Sequence, residues 1–171
     1  MADEKNQPNL KLAAVCGLFC PSCGLYQATI EGDQEKLKGI AERFGRTIDE
    51  VTCEGCRTDN RSFFCNNLCT MFKCAGERGI RFCGECADYP CGPLKEFQSL
   101  APHRLELWNA HARIKEAGYE QWYREMAEFY SCRECGAMNS AYDLKCRICG
   151  ASPGNAFVER HQQSIVPPII K

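Results

Sequence analysis

The chain has no apolar run approaching the roughly 18 residues that a membrane-spanning helix requires, so no membrane segment is expected. It also lacks an excess of one charge. Lys and Arg number 21 against 22 Asp and Glu, for a formal net charge of −1. That balance argues against the broad positive field of a generic nucleic-acid binder. No export signal is expected either. Asp3 and Glu4 stand where a signal peptide carries positive charge, and the apolar stretch Leu12 to Phe19 is short and leads straight into cysteines. Leu12-Ala13-Ala14-Val15-Cys16 has the outline of a lipoprotein cleavage box, but Val15 is a poor residue before the cysteine. No nucleophile–base pair or carboxylate pair stands out as a catalytic constellation. The expectation is a non-enzymatic protein of a reducing cytoplasm.

Cysteine is what the chain has in abundance, with 15 in 171 residues. The odd count and the chain length do not suit a disulfide miniprotein. Most cysteines fall in C-x-x-C pairs: Cys20–Cys23, Cys53–Cys56, Cys83–Cys86, Cys132–Cys135 and Cys146–Cys149. Two intervening residues let one tight turn present both sulfurs to one tetrahedral ion.

The C-terminal four, Cys132, Cys135, Cys146 and Cys149, supply a complete ligand set. Gly136 and Gly150 follow the two knuckles, where a positive φ turns amide N–H groups toward the sulfurs. Four protein ligands leave no open position, so this is read as a structural zinc site, a zinc ribbon. The stretch also resembles the Ran-binding-protein type of zinc finger, written W-x-C-x2-C-x3-N-x6-C-x2-C. Asn139 falls at its Asn, and Tyr130 stands in for its Trp. The resemblance implies contact with single-stranded RNA or with a protein such as ubiquitin; Arg133 and Arg147 are the RNA-contact candidates.

Eleven further cysteines precede residue 92: Cys16, Cys20, Cys23, Cys53, Cys56, Cys65, Cys69, Cys74, Cys83, Cys86 and Cys91. Two four-thiolate zinc sites would leave three thiols over. Three sites would need a histidine, His103 or His111. Cys20-Pro21-Ser22-Cys23-Gly24 has the form of a rubredoxin-like knuckle. Cys16-x3-Cys20-x2-Cys23 has the spacing of radical S-adenosylmethionine enzymes, but Ser22 stands where those carry an aromatic residue. The chain also lacks the length and the β–α repeats of their barrel. A [4Fe-4S] cluster on Cys16, Cys20, Cys23 and a remote thiolate is the main alternative to zinc. Arg57, Lys73 and Arg81 lie near cysteines in sequence and would favour reactive thiolates.

The order of these motifs resembles the family defined by domain of unknown function 3795. It is carried by Cys16-Gly17-Leu18-Phe19-Cys20-Pro21-Ser22-Cys23, Cys53-Glu54-Gly55-Cys56, the run from Cys65 to Cys74-Ala75, and Cys83-Gly84-Glu85-Cys86 with Tyr89-Pro90-Cys91. It extends through Gly118-Tyr119-Glu120-Gln121-Trp122 toward the C-terminal knuckles. The resemblance implies metal binding by the N-terminal cysteines and no particular activity.

The expected fold is a small α+β, metal-stabilised one, mostly helices and irregular loops with little sheet, plus the C-terminal ribbon. Residues 12–92 form the cysteine-rich region, 93–129 a helical segment packed on it, 130–150 the ribbon and 151–171 a tail. Helices are expected over Pro21 to Ile30, over Gln34 to Phe44 with Asp33 as N-cap and Gly45 as stop, over Pro102 to Ala117, and over Tyr119 to Phe129. A helical turn is expected within Cys65 to Cys74. Leu37, Ile40, Ala41 and Phe44 share one face; Leu107, Ala110, Ile114 and Ala117 share another; Trp122, Met126 and Phe129 share a third. The tail could dock through Ile165, Val166, Ile169 and Ile170. Two or three zinc ions per chain and a protein partner are expected.

Overall fold

The computed structural model describes residues 7–165. Its helices are α1 (Gly24–Glu31), α2 (Gln34–Phe44), α3 (Ile48–Val51), α4 (Thr70–Arg78), α5 (Gly92–Ser99), α6 (Leu107–Tyr130) and α7 (Ala156–His161). Among the described residues, β structure is confined to isolated antiparallel bridges at Ala13–Phe19 and Ser131–Met138. The fold is helical with almost no sheet, so the β share of the expected α+β class reduces to these bridges.

Local chemistry sets most boundaries. Asp33 Oδ1 accepts from the Lys36 N–H at 3.0 Å and starts α2, while Gly45 ends it in the left-handed region at φ 61°. Leu37 and Ala41 form its buried face. Phe44, placed on that face by spacing, is instead 51% exposed and rests edge-on against Phe64. Helix α1 begins later than Pro21 because Cys20–Ser22 takes a tighter 3-10 turn. The expected turn within Cys65 to Cys74 divides into a π-helical turn over Phe64–Leu68 and α4. Helix α6 is interrupted at Gly118 (φ 82°, ψ 160°), between the two helices expected over Pro102 to Ala117 and Tyr119 to Phe129. Its first half starts at Leu107 rather than Pro102, since Pro102–Arg104 forms a 3-10 turn.

The second half of α6 organises the core. Trp122, Tyr123, Ala127 and Tyr130 are buried, with Met126 and Phe129 packed at the edge. Phe19, from the loop between Cys16 and Cys20, meets Tyr123 edge-on at 4.9 Å and stacks on Tyr130 at 6.1 Å. Tyr130 in turn stacks on Phe157 of α7 at 5.5 Å. Each such pair adds about 0.5–1.5 kcal/mol beyond area burial. The segment 155–165, read from sequence as tail, is therefore part of the core: Phe157 and Val158 are fully buried and Ile165 is 6% exposed. Val166, Ile169 and Ile170 lie outside the described residues. A second cluster joins Ala14, Val15, Met71, Leu94 and Leu107 to the thiols Cys16 and Cys56. Apolar core and cysteine region thus occupy the same space.

Candidate metal centres

The C-terminal cysteines converge. Cys132 and Cys149 Sγ lie 3.6 Å apart, as do Cys135 and Cys146 Sγ, and all four sulfurs fall within 4.8 Å of one another. A tetrahedral ion with bonds of about 2.3 Å separates its sulfurs by about 3.8 Å, so the donor set fits one ion. Both short contacts cross between knuckles. The knuckles are built alike: Gly136 N–H donates to Cys132 O and Gly150 N–H to Cys146 O, each at 2.9 Å. The glycines take φ of 70° and 75°. Cys132 and Cys146 are buried, Cys135 and Cys149 exposed.

Charge within this group is unevenly shared. Burial opposes ionisation of Cys146, but the N–H groups of Cys149 and Ile148, the Asn139 amide and Cys135 outweigh it and bring the thiol down to about 6. The Ala151 N–H favours the Cys149 thiolate, yet the neighbouring Cys135, Cys132 and Cys146 push that thiol up. A divalent cation would ionise all four, because ligating thiols bind deprotonated.

Asn139 is the residue sequence reasoning undervalued, since it was noted only for matching a pattern. Fully buried, it donates through Nδ2 to Gly154 O (2.9 Å) and Ala137 O (3.0 Å) and approaches Cys146 Sγ (3.6 Å), while Oδ1 accepts from the Arg147 N–H (3.0 Å). It ties one knuckle to the other and to the following loop. Such support of a ligand sulfur holds a metal site's geometry.

The eleven N-terminal thiols gather less tightly. Among the described residues, no further group of three or more His, Cys, Asp or Glu brings its ligand atoms within 4.8 Å of one another. Cys16, Cys53 and Cys56 are buried; Cys20, Cys65, Cys69, Cys83, Cys86 and Cys91 are half-buried; Cys23 and Cys74 are exposed. Their mutual repulsions reveal two neighbourhoods. Burial, then Cys56, pushes the Cys20 thiol well up, with Cys23 and Cys53 adding to it. Burial, then Cys53, pushes Cys65 up to about 12. Burial, then Cys91, Cys74, Cys69 and Cys86, pushes Cys83 up to about 12. Cys16 sits between the neighbourhoods: burial raises it well up, and Cys56, Cys69 and Cys83 all oppose its ionisation. Thiols that repel one another as anions are what a cation would stabilise.

The backbone positions these thiols deliberately. Cys23, Cys69 and Cys91 occupy the N-cap positions of α1, α4 and α5, and burial pushes the Cys23 thiol up despite the nearby backbone N–H groups. The Cys53 N–H donates to Thr29 Oγ1 of α1 at 2.9 Å, fastening the second knuckle beside the first. Of the basic residues singled out by sequence, Arg57 donates to Ala13 O and Arg81 O, Lys73 pairs with Glu77, and Arg81 pairs with Glu85. The guanidinium that touches a thiol is Arg78, with Nη1 3.1 Å from Cys86 Sγ and 2.7 Å from Asp88. Seven residues, ending in a 3-10 turn over Cys83–Glu85, separate Arg78 from Cys86, so no local pattern announces the contact.

Arg133 and Arg147, the RNA-contact candidates, are both engaged in bidentate ion pairs, with Glu159 and Glu31 respectively. His103 hydrogen bonds to the Tyr142 hydroxyl, and burial followed by the Arg104 charge pushes it down to about 4. His111 is buried on α6. Among the described residues, no helix is long and apolar enough to cross a membrane.

Searches of the curated proteins and of the solved structures found no match. A family model does match, over the segment that runs from the first bridge through most of α5 and holds all eleven N-terminal cysteines. Residues 12–96 of the chain match the model of the family described as protein of unknown function (DUF3795).

Proposed function

We propose that this is a non-enzymatic zinc-binding protein whose metal sites hold a surface for a protein partner. The closed four-sulfur set of Cys132, Cys135, Cys146 and Cys149 carries the reading, because four protein ligands leave no position for substrate. In this reading the module is a zinc ribbon, and the N-terminal thiols hold one or two further ions. Tyr142, Leu144 and Ile148 of the module are 46%, 41% and 67% exposed, which supports a protein contact there. The ion pairs on Arg133 and Arg147 weigh against RNA. A reducing cytoplasm would keep so many thiols free for metal.

A second reading, an iron–sulfur or thiol redox protein, draws on the wider spacing of the N-terminal thiols, since a polynuclear cluster needs more room than one ion. Metal content per chain and visible absorption, on protein purified without oxygen, separate the two. About two or three zinc ions and no visible band support the proposal. About four iron atoms with broad brown absorption overturn it for the N-terminal region. Chelation should also abolish the near-UV signal, because the module shares its core with α6 and α7; a full signal in excess chelator contradicts a structural role.

A further inference from the structure

Two of the three histidines have partners. His103 Nδ1 meets the Tyr142 hydroxyl at 2.7 Å, and its Nε2 accepts from Arg104 Nε at 3.2 Å. His161 Nε2 lies 2.6 Å from Glu106. His111 is different. It is 3% exposed, and neither ring nitrogen makes a hydrogen bond of good geometry among the described residues, the Cys16 backbone being the one polar group that favours its charged form at short range. Buried polar groups are nearly always paired, and each one left bare carries a penalty that a Phe or Leu at the same position would avoid. An imidazole kept bare in the core therefore calls for a partner that the protein atoms do not supply.

Its surroundings indicate what that partner is. The Nε2 edge of the ring abuts Gly17 and its Nδ1 side abuts Gly84: a Cβ added at those glycines would lie 3.1 Å from Nε2 and 2.9 Å from Nδ1. Tyr89 closes another side, with ring centroids 5.2 Å apart. Each glycine follows a cysteine, Cys16 and Cys83. The Cys83 N–H donates to Val15 O at 2.8 Å, so the two loops are tied together around the ring. Cys16 and Cys56 are buried in one apolar cluster, and Cys69, Cys83 and Cys91 pack against it. The imidazole is thus wedged between two loops whose thiols belong to one cluster, and three thiolates with one neutral imidazole are a common tetrahedral zinc set.

We propose that His111 is a metal ligand, completing a Cys3His zinc centre with Cys16, Cys69 and Cys83. This rests on the reading that the N-terminal thiols bind metal. No three of the four ligand atoms lie within 4.8 Å of one another, so the ion would have to draw the loops together, with each thiol releasing its proton. Residue 111 lies outside the family-matched segment 12–96. The coordinate bond would therefore fasten α6, the organiser of the core, directly to the cysteine region. Gly17 and Gly84 would be glycines so that the ring can approach both loops.

The test counts metal on the full chain purified without oxygen. Wild type should hold more than the one ion of the C-terminal module; a single ion per chain defeats the broader reading before any variant is made. His111→Phe keeps the ring bulk and removes the nitrogens, and should lose one ion per chain. His111→Cys should restore the wild-type count. A folded His111→Phe with the full count overturns the proposal, as it would if Cys83 binds with Cys74, Cys86 and Cys91 instead. Wild type loaded with cadmium-113 gives a readout independent of variant folding. Scalar coupling between a cadmium nucleus and a His111 ring proton is expected, and its absence in fully loaded protein refutes the ligand assignment.

Discussion

Replacing Asn139 with Ala should weaken both the fold and the metal site of the C-terminal module. The side chain is fully buried, and its loss strands Gly154 O and the Arg147 N–H, while Ala137 O keeps the Cys132 N–H. A buried group without its partner costs about 1–3 kcal/mol. Water entering the vacated volume would recover part of that, leaving a loss of about 3 kcal/mol. For a chain of this size each kcal/mol lowers Tm by about 2–4 °C, so a drop of about 6–12 °C is expected at fixed zinc concentration. The amide also approaches Cys146 Sγ, and removing such support should cut metal affinity about 10–100-fold, read by competition with a chromophoric chelator. Asn139→Asp is the control for volume. It retains the acceptor for Arg147 but turns a carboxylate oxygen toward two carbonyls and a thiolate, so it should be at least as damaging at neutral pH. An Ala variant within about 0.5 kcal/mol of wild type, the spread of neutral surface changes, and with unchanged zinc affinity would refute the view that Asn139 bridges the knuckles.

Three further outcomes can be checked. Gly154→Ala would place a Cβ 2.1 Å from Asp143 O and 3.0 Å from the Lys145 carbonyl carbon, both backbone. A loss on the order of 3 kcal/mol in urea unfolding is expected, and a neutral result would mean the loop relaxes freely. The Arg147–Glu31 pair, with both contacts at 2.6 Å, joins the C-terminal module to α1. A double-mutant cycle should show coupling of up to about 1 kcal/mol that fades with salt; coupling indistinguishable from zero would make the contact incidental. Hydrogen bonds from Arg113, then Gln121, hold the Glu125 carboxyl down to about 2 from an ordinary 4.5. A depressed carboxylate adds stability above the ordinary value and loses it as pH falls toward 2. Glu125→Gln should flatten that acid limb slightly, the pair being partly exposed, and an unchanged limb would show that Arg113 contributes nothing.

Several features were legible in the chain because their causes are local. The span of α2 follows from Asp33 and Gly45, the break in α6 from Gly118, and the closed four-sulfur group from two knuckles and their glycines. Helices α5 and α7 were not foreseen. Helix α5 begins Gly92-Pro93 and buries only Leu94, and α7 has six residues behind Ser152-Pro153-Gly154, too few to display a period.

The sequence by itself determined that thiols come in pairs spaced for a tetrahedral ion, since that spacing is a property of single turns. Only the tertiary structure decided which knuckles face each other. The loops of Cys16 and Cys83 are held together across 68 positions of chain by the hydrogen bond from the Cys83 N–H to Val15 O. The same packing gave Phe19, Tyr130 and Phe157 one aromatic stack. It also placed His111, rather than His103, beside two glycines of the cysteine loops. Side chains distant in sequence meet only where helices and loops dock, and no periodicity along the chain encodes that meeting.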